Sequence, residues 1–149
     1  METRSEINLI EQEYIYLLKD KGGFNRWNCL KQYFEYYYRQ PEKFPKEGEV
    51  WMSALGKNIG FEQNGTGSNF SRPVLVVKKF NNQMFWVVPL STKQKSLDFY
   101  FNYIDPDDNK VAAILAQMKL VSNKRLIRNM YEMEELSFNK IRKRLKKLL

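Results

Sequence analysis

Apolar residues near the amino terminus recur at the three- and four-residue steps of amphipathic helices. This spacing predicts one helix over residues 7–18, which the Gly22-Gly23 pair ends, and a second helix over residues 25–39. The apolar side of the second helix is predicted to carry Trp27, Leu30, Phe34 and Tyr37. We therefore expect two short amphipathic helices before the rest of the chain.

Two prolines, Pro41 and Pro45, follow these helices and are incompatible with their continuation. They mark a linker, so residues 1–45 are predicted to be a helical extension and residues 46–149 a separate domain. The tyrosine run at 36–38 is predicted to pack between the extension and that domain.

After Pro45 the apolar runs become short and turn residues separate them, which is typical of strands. A polar stretch with four glycines, residues 56–71, follows the first run. Apolar residues at helical spacing predict a terminal helix over 137–149, with its basic residues on the other side. Together these elements predict an α+β fold, a small antiparallel barrel with one closing helix. The predicted strands cover residues 50–55, 73–77, 84–90, 97–104, 111–115 and 118–121.

The chain contains no histidine, which excludes histidine acid–base catalysis, the usual serine and cysteine triads and the commonest zinc ligand. Its single cysteine, Cys29, cannot form an internal disulfide, and we interpret it as a buried, inert thiol. Any chemistry must therefore depend on Arg, Lys, Glu, Asp, Tyr, Ser or Thr.

The charge is uneven along the chain. Residues 1–45 hold seven Lys/Arg and seven Asp/Glu, so the net charge of +8 lies entirely in residues 46–149. A basic domain attracts polyanions, with nucleic acid the leading candidate. No apolar run is long enough to span a membrane and no secretory apolar core is evident, so we expect a cytoplasmic protein without a membrane partner.

Six segments in the same order and with similar spacing resemble the PemK/MazF toxins of bacterial toxin–antitoxin pairs. The resemblance covers roughly residues 46–149 and continues into the closing helix. No single segment is specific, but the series is. The segments are GEVW at 48–51, GFEQ at 60–63, SRPVLVV at 71–77, VPLST at 88–92, ILAQMK at 114–119 and SNKRL at 122–126.

The resemblance implies an SH3-like barrel that forms a homodimer, binds a cognate antitoxin and cuts single-stranded RNA without a metal or cofactor. In such cleavage the ribose 2′-hydroxyl attacks the adjacent phosphate and leaves a 2′,3′-cyclic phosphate and a 5′-hydroxyl. The family's catalytic arginine falls on Arg72, its catalytic threonine on Ser91, and an acidic loop residue on Glu62. Serine at position 91 departs from the family pattern, and we expect reduced but not abolished activity.

These residue types suit the chemistry, since arginine offers a planar, permanently charged set of donors to phosphate oxygens and a hydroxyl can donate beside it. The glycine-rich stretch is expected to lie over the RNA. The residues predicted to contact RNA are Gln63, Asn64, Asn69, Thr92, Lys93 and Lys95, and stacking on bases is predicted for Phe61, Phe70 or Trp86.

Other readings of the same residues stay open. Arg72 also fits a structural ion pair with Glu62 or Glu49, and Glu62 fits a general base or a carboxylate that only orients Arg72. Trp51 and Trp86 fit the core better than an RNA platform. The basic side of the terminal helix fits a solvated surface as well as a site for the RNA backbone.

The function also has rivals. Serine at position 91 fits a non-catalytic barrel that binds RNA or a protein partner. A gyrase-poisoning relative is disfavoured because those proteins depend on a carboxy-terminal tryptophan, whereas this chain ends Lys147-Leu148-Leu149. A built-in antitoxin in residues 1–45 is disfavoured because the segment is neutral rather than acidic. We favour an accessory element that packs on the barrel or widens the dimer interface.

Overall fold

A computed structural model of the protein describes residues 21–39 and 44–149, together with the side chains of all of these except Lys21. The predicted helix over 7–18 and most of the linker therefore lie outside the described residues. A 3-10 turn over Lys21–Gly23 leads into the first α-helix that the structure describes, α1, Phe24–Tyr36, which ends three residues before the predicted end.

The packing side of α1 is partly as predicted. Trp27 and Phe34 are buried, but Tyr37 is 75% exposed and lies beyond the helix. In the tyrosine run, only Tyr38 packs against the domain, and its hydroxyl donates to backbone carbonyls of the last strand. The prediction of a buried Cys29 is wrong, because this thiol is exposed on α1.

Seven strands and a second α-helix follow α1. Each predicted strand is present, with ends shifted by at most three residues, and the terminal helix begins two residues earlier than predicted. The last strand was not predicted. The elements are β1 Glu49–Ala54, β2 Ser71–Lys79, β3 Met84–Ser91, β4 Tyr100–Ile104, β5 Lys110–Ile114, β6 Lys119–Ser122, β7 Leu126–Glu132 and α2 Glu135–Leu148.

All strand pairs are antiparallel, in the order β4-β5-β3-β2-β1-β7, and β6 pairs with β3 as well. The α+β prediction is confirmed, but the strand ladder is not closed, because β4 and β7 at its two ends do not pair. A hydrogen bond of 2.7 Å between the hydroxyls of Tyr103 and Tyr131 links those two strands instead. The fold is therefore a strongly bent sheet whose two ends are bridged by side chains.

The sheet is buried on both faces. Successive residues of a strand point to opposite faces, so Leu75 and Val88 pack with α2 in one cluster while Val74 and Val87 pack in another. Burial on both sides explains why β2 and β3 are nearly continuous apolar runs. A third cluster, formed by Trp27, Phe34, Ala54 and Phe70, attaches α1 to the sheet.

Candidate functional site

Arg72 is the second residue of β2, and its side chain is fixed by two backbone carbonyls. Nε donates to the carbonyl oxygen of Asn64 at 2.7 Å, and Nη1 donates to that of Leu90 at 3.0 Å. Burial lowers the pKa of Arg72 from its ordinary value, yet guanidinium remains charged in proteins. Its remaining N–H groups make no hydrogen bond within the described residues, so a cationic fork is held in one orientation.

Arg72 and Ser91 line the same groove, which has a volume of about 500 Å³. Strand register brings them together: Val74 pairs with Pro89, and Arg72 and Ser91 each lie two residues further along toward the same end. The Ser91 hydroxyl accepts a hydrogen bond of 3.1 Å from the Lys93 amide. Its own hydrogen is therefore available to a ligand in the groove.

Glu62 lies outside this groove. It lines a neighbouring cavity of about 240 Å³ with Asn58, Gln117 and Lys119. The pKa of Lys119 is lowered by burial and by Arg125, and Glu62 opposes that shift. Within the described residues Arg72 forms no ion pair with Glu62 or Glu49, so the alternative of a structural ion pair finds no support.

Two of the predicted RNA contacts take part in the internal structure of the loop. The Asn64 side-chain oxygen accepts from the backbone N–H of Asn58, and the backbone N–H of Gln63 donates to the side-chain oxygen of Gln117 at 3.3 Å. Asn69 is exposed, and Thr92 lines the groove with Arg72. Of the residues predicted to contact RNA, Thr92 alone lines the groove of Arg72 and Ser91 within the described residues, and Gln63 lines the cavity of Glu62.

Lys93 is exposed beside the groove, whereas Lys95 lines a different and larger cavity of about 580 Å³. Arg144 and Lys147 of α2 line that cavity too, and Arg144 Nη1 donates to the Tyr100 carbonyl at 2.9 Å. The basic surface therefore extends from the end of β3 to the terminal helix.

The predicted stacking residues have different surroundings. Phe61 is 98% exposed, but Phe70 is buried against Trp27, so stacking of Phe70 on a base is excluded in this conformation. Trp51 is buried as predicted, whereas the prediction of Trp86 as a core residue is wrong: it is 41% exposed and lies against Phe80.

A family model of the PemK-like, MazF-like toxins of type II toxin–antitoxin systems matches residues 46–149. The chain belongs to this family. The match begins after α1, so α1 lies outside the MazF-like domain.

Solved structures share the fold of this MazF-like domain at low identity. MazF from Deinococcus radiodurans superimposes with a TM-score of 0.61 at 17% identity, covering 72% of this chain and 97% of that one. An endoribonuclease from a mycobacterial species gives 0.51 at 18%, covering 70% and 90%. A mycobacterial endoribonuclease in complex with its cognate antitoxin gives 0.52 at 17%, covering 69% and 92%. No curated protein matches the chain.

Sequence reasoning missed several residues of the groove in the MazF-like domain. Lys110, Thr66 and Tyr131 also line it, and Tyr131 belongs to the strand that was not predicted. Burial raises the pKa of both Tyr131 and its hydrogen-bond partner Tyr103, so both phenols stay protonated at neutral pH. Lys110 could have been proposed from the sequence, because it is a cation that begins a strand next to β3. Placing Tyr131 in the groove required knowledge of the fold.

Two features are absent from residues 21–39 and 44–149. No helix there is long and apolar enough to span a membrane. In the same part of the chain, no group of three or more acidic or cysteine side chains is arranged to hold a metal ion.

Proposed function

We propose that this MazF-like toxin is an endoribonuclease that cleaves single-stranded RNA by metal-independent transesterification. The observation that carries the proposal is the Arg72 guanidinium, fixed by two backbone carbonyls in a groove that it shares with Ser91. A fixed cation beside a hydroxyl is what phosphoryl chemistry requires where charge develops. The family match and the two mycobacterial endoribonucleases of the same fold support the reaction class.

In the proposed reaction the ribose 2′-oxygen attacks the adjacent phosphorus as it gives up its proton to a base. The bond from phosphorus to the 5′-oxygen breaks, and that oxygen takes up a proton. The products are a 2′,3′-cyclic phosphate and a 5′-hydroxyl. Arg72 donates to the non-bridging oxygens, whose negative charge grows along this path, and Ser91 donates beside it.

Glu62 is the proposed base, and this role requires its carboxylate to reach the groove. Glu62 and Arg72 line different cavities, although Asn64 of the same loop holds Arg72. The part of the loop that carries Glu62 must therefore move when RNA binds, so that the carboxylate reaches the 2′-hydroxyl. Glu62→Gln would then lower the cleavage rate and flatten its rise with pH, whereas a carboxylate that only orients its neighbours would leave the profile unchanged.

RNA, a cognate antitoxin and a second copy of the chain are the proposed partners. Lys93 and Lys95, with Arg144 and Lys147 beyond them, would contact RNA phosphates outside the groove. The antitoxin proposal rests on solved complexes of MazF-like proteins with antitoxins. A basic surface that attracts RNA also suits an acidic antitoxin segment, so the two are expected to compete.

A second candidate function, an RNA-binding module without catalysis, is favoured by one observation. Serine stands at position 91, where the family has threonine, and it lacks the methyl group that restricts the hydroxyl's rotamers. A looser hydroxyl retains binding more easily than it retains catalysis, because only the reaction demands a fixed direction.

One experiment separates the two candidates. Purified protein is incubated with mixed-sequence single-stranded RNA in EDTA, beside Arg72→Lys and Arg72→Ala. The nuclease proposal predicts site-specific cuts that are weak in the lysine variant and absent in the alanine variant, since lysine keeps the charge but not the fork. Salt-sensitive binding without cuts by folded wild-type protein would favour the binding module.

A further inference from the structure

Helix α1 is packed against the loop that holds Arg72, although α1 precedes the family match. We define the site loop as residues 56–70, between β1 and β2. The two ends of this loop, Gly56 and Phe70, both contact Trp27, which is 7% exposed. A helix outside the MazF-like domain thus touches the loop where the loop leaves the sheet and where it returns.

The contact with Gly56 is too close for any side chain there. A Cβ built on Gly56 would lie 2.0 Å from the Trp27 ring, and the backbone at Gly56 has a φ of +81°. The indole ring therefore lies directly on the loop backbone. Glycine is required at this position both by its left-handed conformation and by the tryptophan.

The contact with Phe70 is equally direct. The rings of Trp27 and Phe70 lie 5.8 Å apart, and the Arg26 guanidinium lies 5.6 Å from the Phe70 ring centroid. Phe70 has a φ of +46°, a conformation that is uncommon for an aromatic residue and that persists only where packing fixes it. Phe70 comes two residues before Arg72, so α1 fixes the backbone that leads into the site.

Hydrogen bonds connect these two contacts to Arg72. The Gly56 amide donates to the Phe70 carbonyl at 2.9 Å, and the Gly65 amide donates to the Gly56 carbonyl at 2.8 Å. The residue before Gly65 is Asn64, whose carbonyl accepts from Arg72 Nε. Trp27 therefore holds the backbone that in turn holds the guanidinium.

Helix α1 is itself attached to the domain at both ends. The Tyr38 hydroxyl, just past the helix, donates to the carbonyls of Leu126 and Ile127 at 3.1 and 3.2 Å. Arg125 lies 5.7 Å from the Trp27 ring and donates to the Ala54 carbonyl at 2.9 Å. No residue of α1 lines the groove of Arg72 and Ser91, so the described helix leaves that groove open.

We propose that α1 is a brace for the site loop and that Trp27 is a positioning residue for Arg72. The brace holds the loop in its present form before RNA arrives. This inference deepens the proposed nuclease function and rests on it for the effect on catalysis. The claim that α1 holds the site loop does not depend on any reaction.

The test compares Trp27→Ala and Trp27→Phe with Phe34→Ala in the full chain. Phe34 is a matched control, because it is buried in the same cluster and packs on Tyr33 and Tyr38. Two quantities are measured well below the unfolding temperature of every variant. One is amide hydrogen exchange in peptides covering the site loop, and the other is kcat and KM for RNA cleavage.

We expect Trp27→Ala to speed exchange in the site loop by about tenfold or more through local opening. Its kcat should fall by about tenfold or more while KM stays within about threefold, since misplacing a catalytic group costs rate more than binding. Trp27→Phe should restore most of both values. Phe34→Ala should change both values by clearly less than Trp27→Ala does.

Equal effects of Trp27→Ala and Phe34→Ala would overturn the inference, because they would indicate general destabilisation. Wild-type exchange in Trp27→Ala, or faster exchange with unchanged kcat, would overturn it too. If the wild-type chain cuts no RNA, the proposed function fails, and the exchange comparison alone decides whether α1 holds the loop.

Discussion

The base of the site loop has no room for a side chain at Gly65. A Cβ built there would lie 1.6 Å from the Phe70 carbonyl oxygen and 2.6 Å from the Ser71 nitrogen. Both are backbone atoms, so no side-chain rotation can relieve the overlap. Gly65→Ala must therefore push the two sides of the loop base apart.

The free-energy cost of this separation follows from the hydrogen bonds that it breaks. The Phe70 carbonyl accepts from the Gly56 amide at 2.9 Å, and the Ser71 amide donates to the Thr66 carbonyl at 2.9 Å. Two such bonds contribute about 1–3 kcal/mol to the free energy of unfolding. For a chain of this size, about 2 kcal/mol lowers Tm by about 4–8 °C.

The effect on cleavage should be larger than the effect on stability. Asn64, which holds Arg72 Nε, precedes Gly65 directly, so it moves with the loop base. A displacement of about 1 Å at a catalytic group costs on the order of 10²-fold in rate. We expect RNA cleavage by Gly65→Ala to fall by that order while the protein stays folded.

Gly48→Ala is the control. Gly48 has a φ of +91°, but a Cβ there would meet only the Phe138 ring, at an ordinary 3.7 Å, far from the site loop. The strain should cost about 1–2 kcal/mol and leave cleavage unchanged. Thermal melts and cleavage rates of both variants are compared. A Gly65→Ala protein that melts and cleaves like wild type would refute the reasoning.

Three further predictions concern the groove, the sheet ends and the basic surface. Ser91→Thr should raise kcat severalfold, because the added methyl group restricts the hydroxyl; an equal kcat in the two proteins would contradict this role of the methyl group, and no cleavage by either would indicate a dead site. Burial and the Tyr131 hydrogen bond raise the pKa of Tyr103 above its ordinary 10.0. Above about pH 10 the unfolded state therefore loses a proton that the folded state keeps, and the free energy of unfolding should fall as the pH rises. Tyr103→Phe should make that fall shallower in urea melts between pH 8 and 11. An equally steep fall in the variant would contradict the raised pKa of Tyr103 as its cause. Lys147→Ala should weaken RNA binding and reduce the salt slope by about 0.7, whereas Lys143→Ala, which does not line the cavity, should not.

Most of the fold was predictable because its signals are local. Short apolar runs between turn residues indicated six of the seven strands, and helical spacing indicated α2. The last strand, β7, was missed because all of its residues but one are half-exposed or exposed and it carries Arg128 and Asn129 between its apolar residues. Its place is fixed by pairing with β1, a long-range contact that leaves little local pattern.

The candidate site was predictable where the strand register determines it. Arg72 and Ser91 line the same groove because β2 and β3 pair, and both residue types suit phosphate chemistry. The loop was harder, since its path depends on contacts across the chain. Phe70 was expected to be free for stacking, but it is buried by Trp27, and Glu62 was expected beside Arg72 but lies near Lys119. No local pattern encodes either contact.

The most direct test of the central claim removes a single oxygen from the substrate. After the cleaved bond has been mapped in EDTA, the same RNA is made with a 2′-deoxy residue on the 5′ side of that bond and given to wild-type protein. We predict that the modified bond stays intact, that the unmodified RNA is cut, and that its products carry a 2′,3′-cyclic phosphate. Cleavage of the modified bond would contradict attack by the 2′-hydroxyl and with it the proposed roles of Arg72, Ser91 and Glu62.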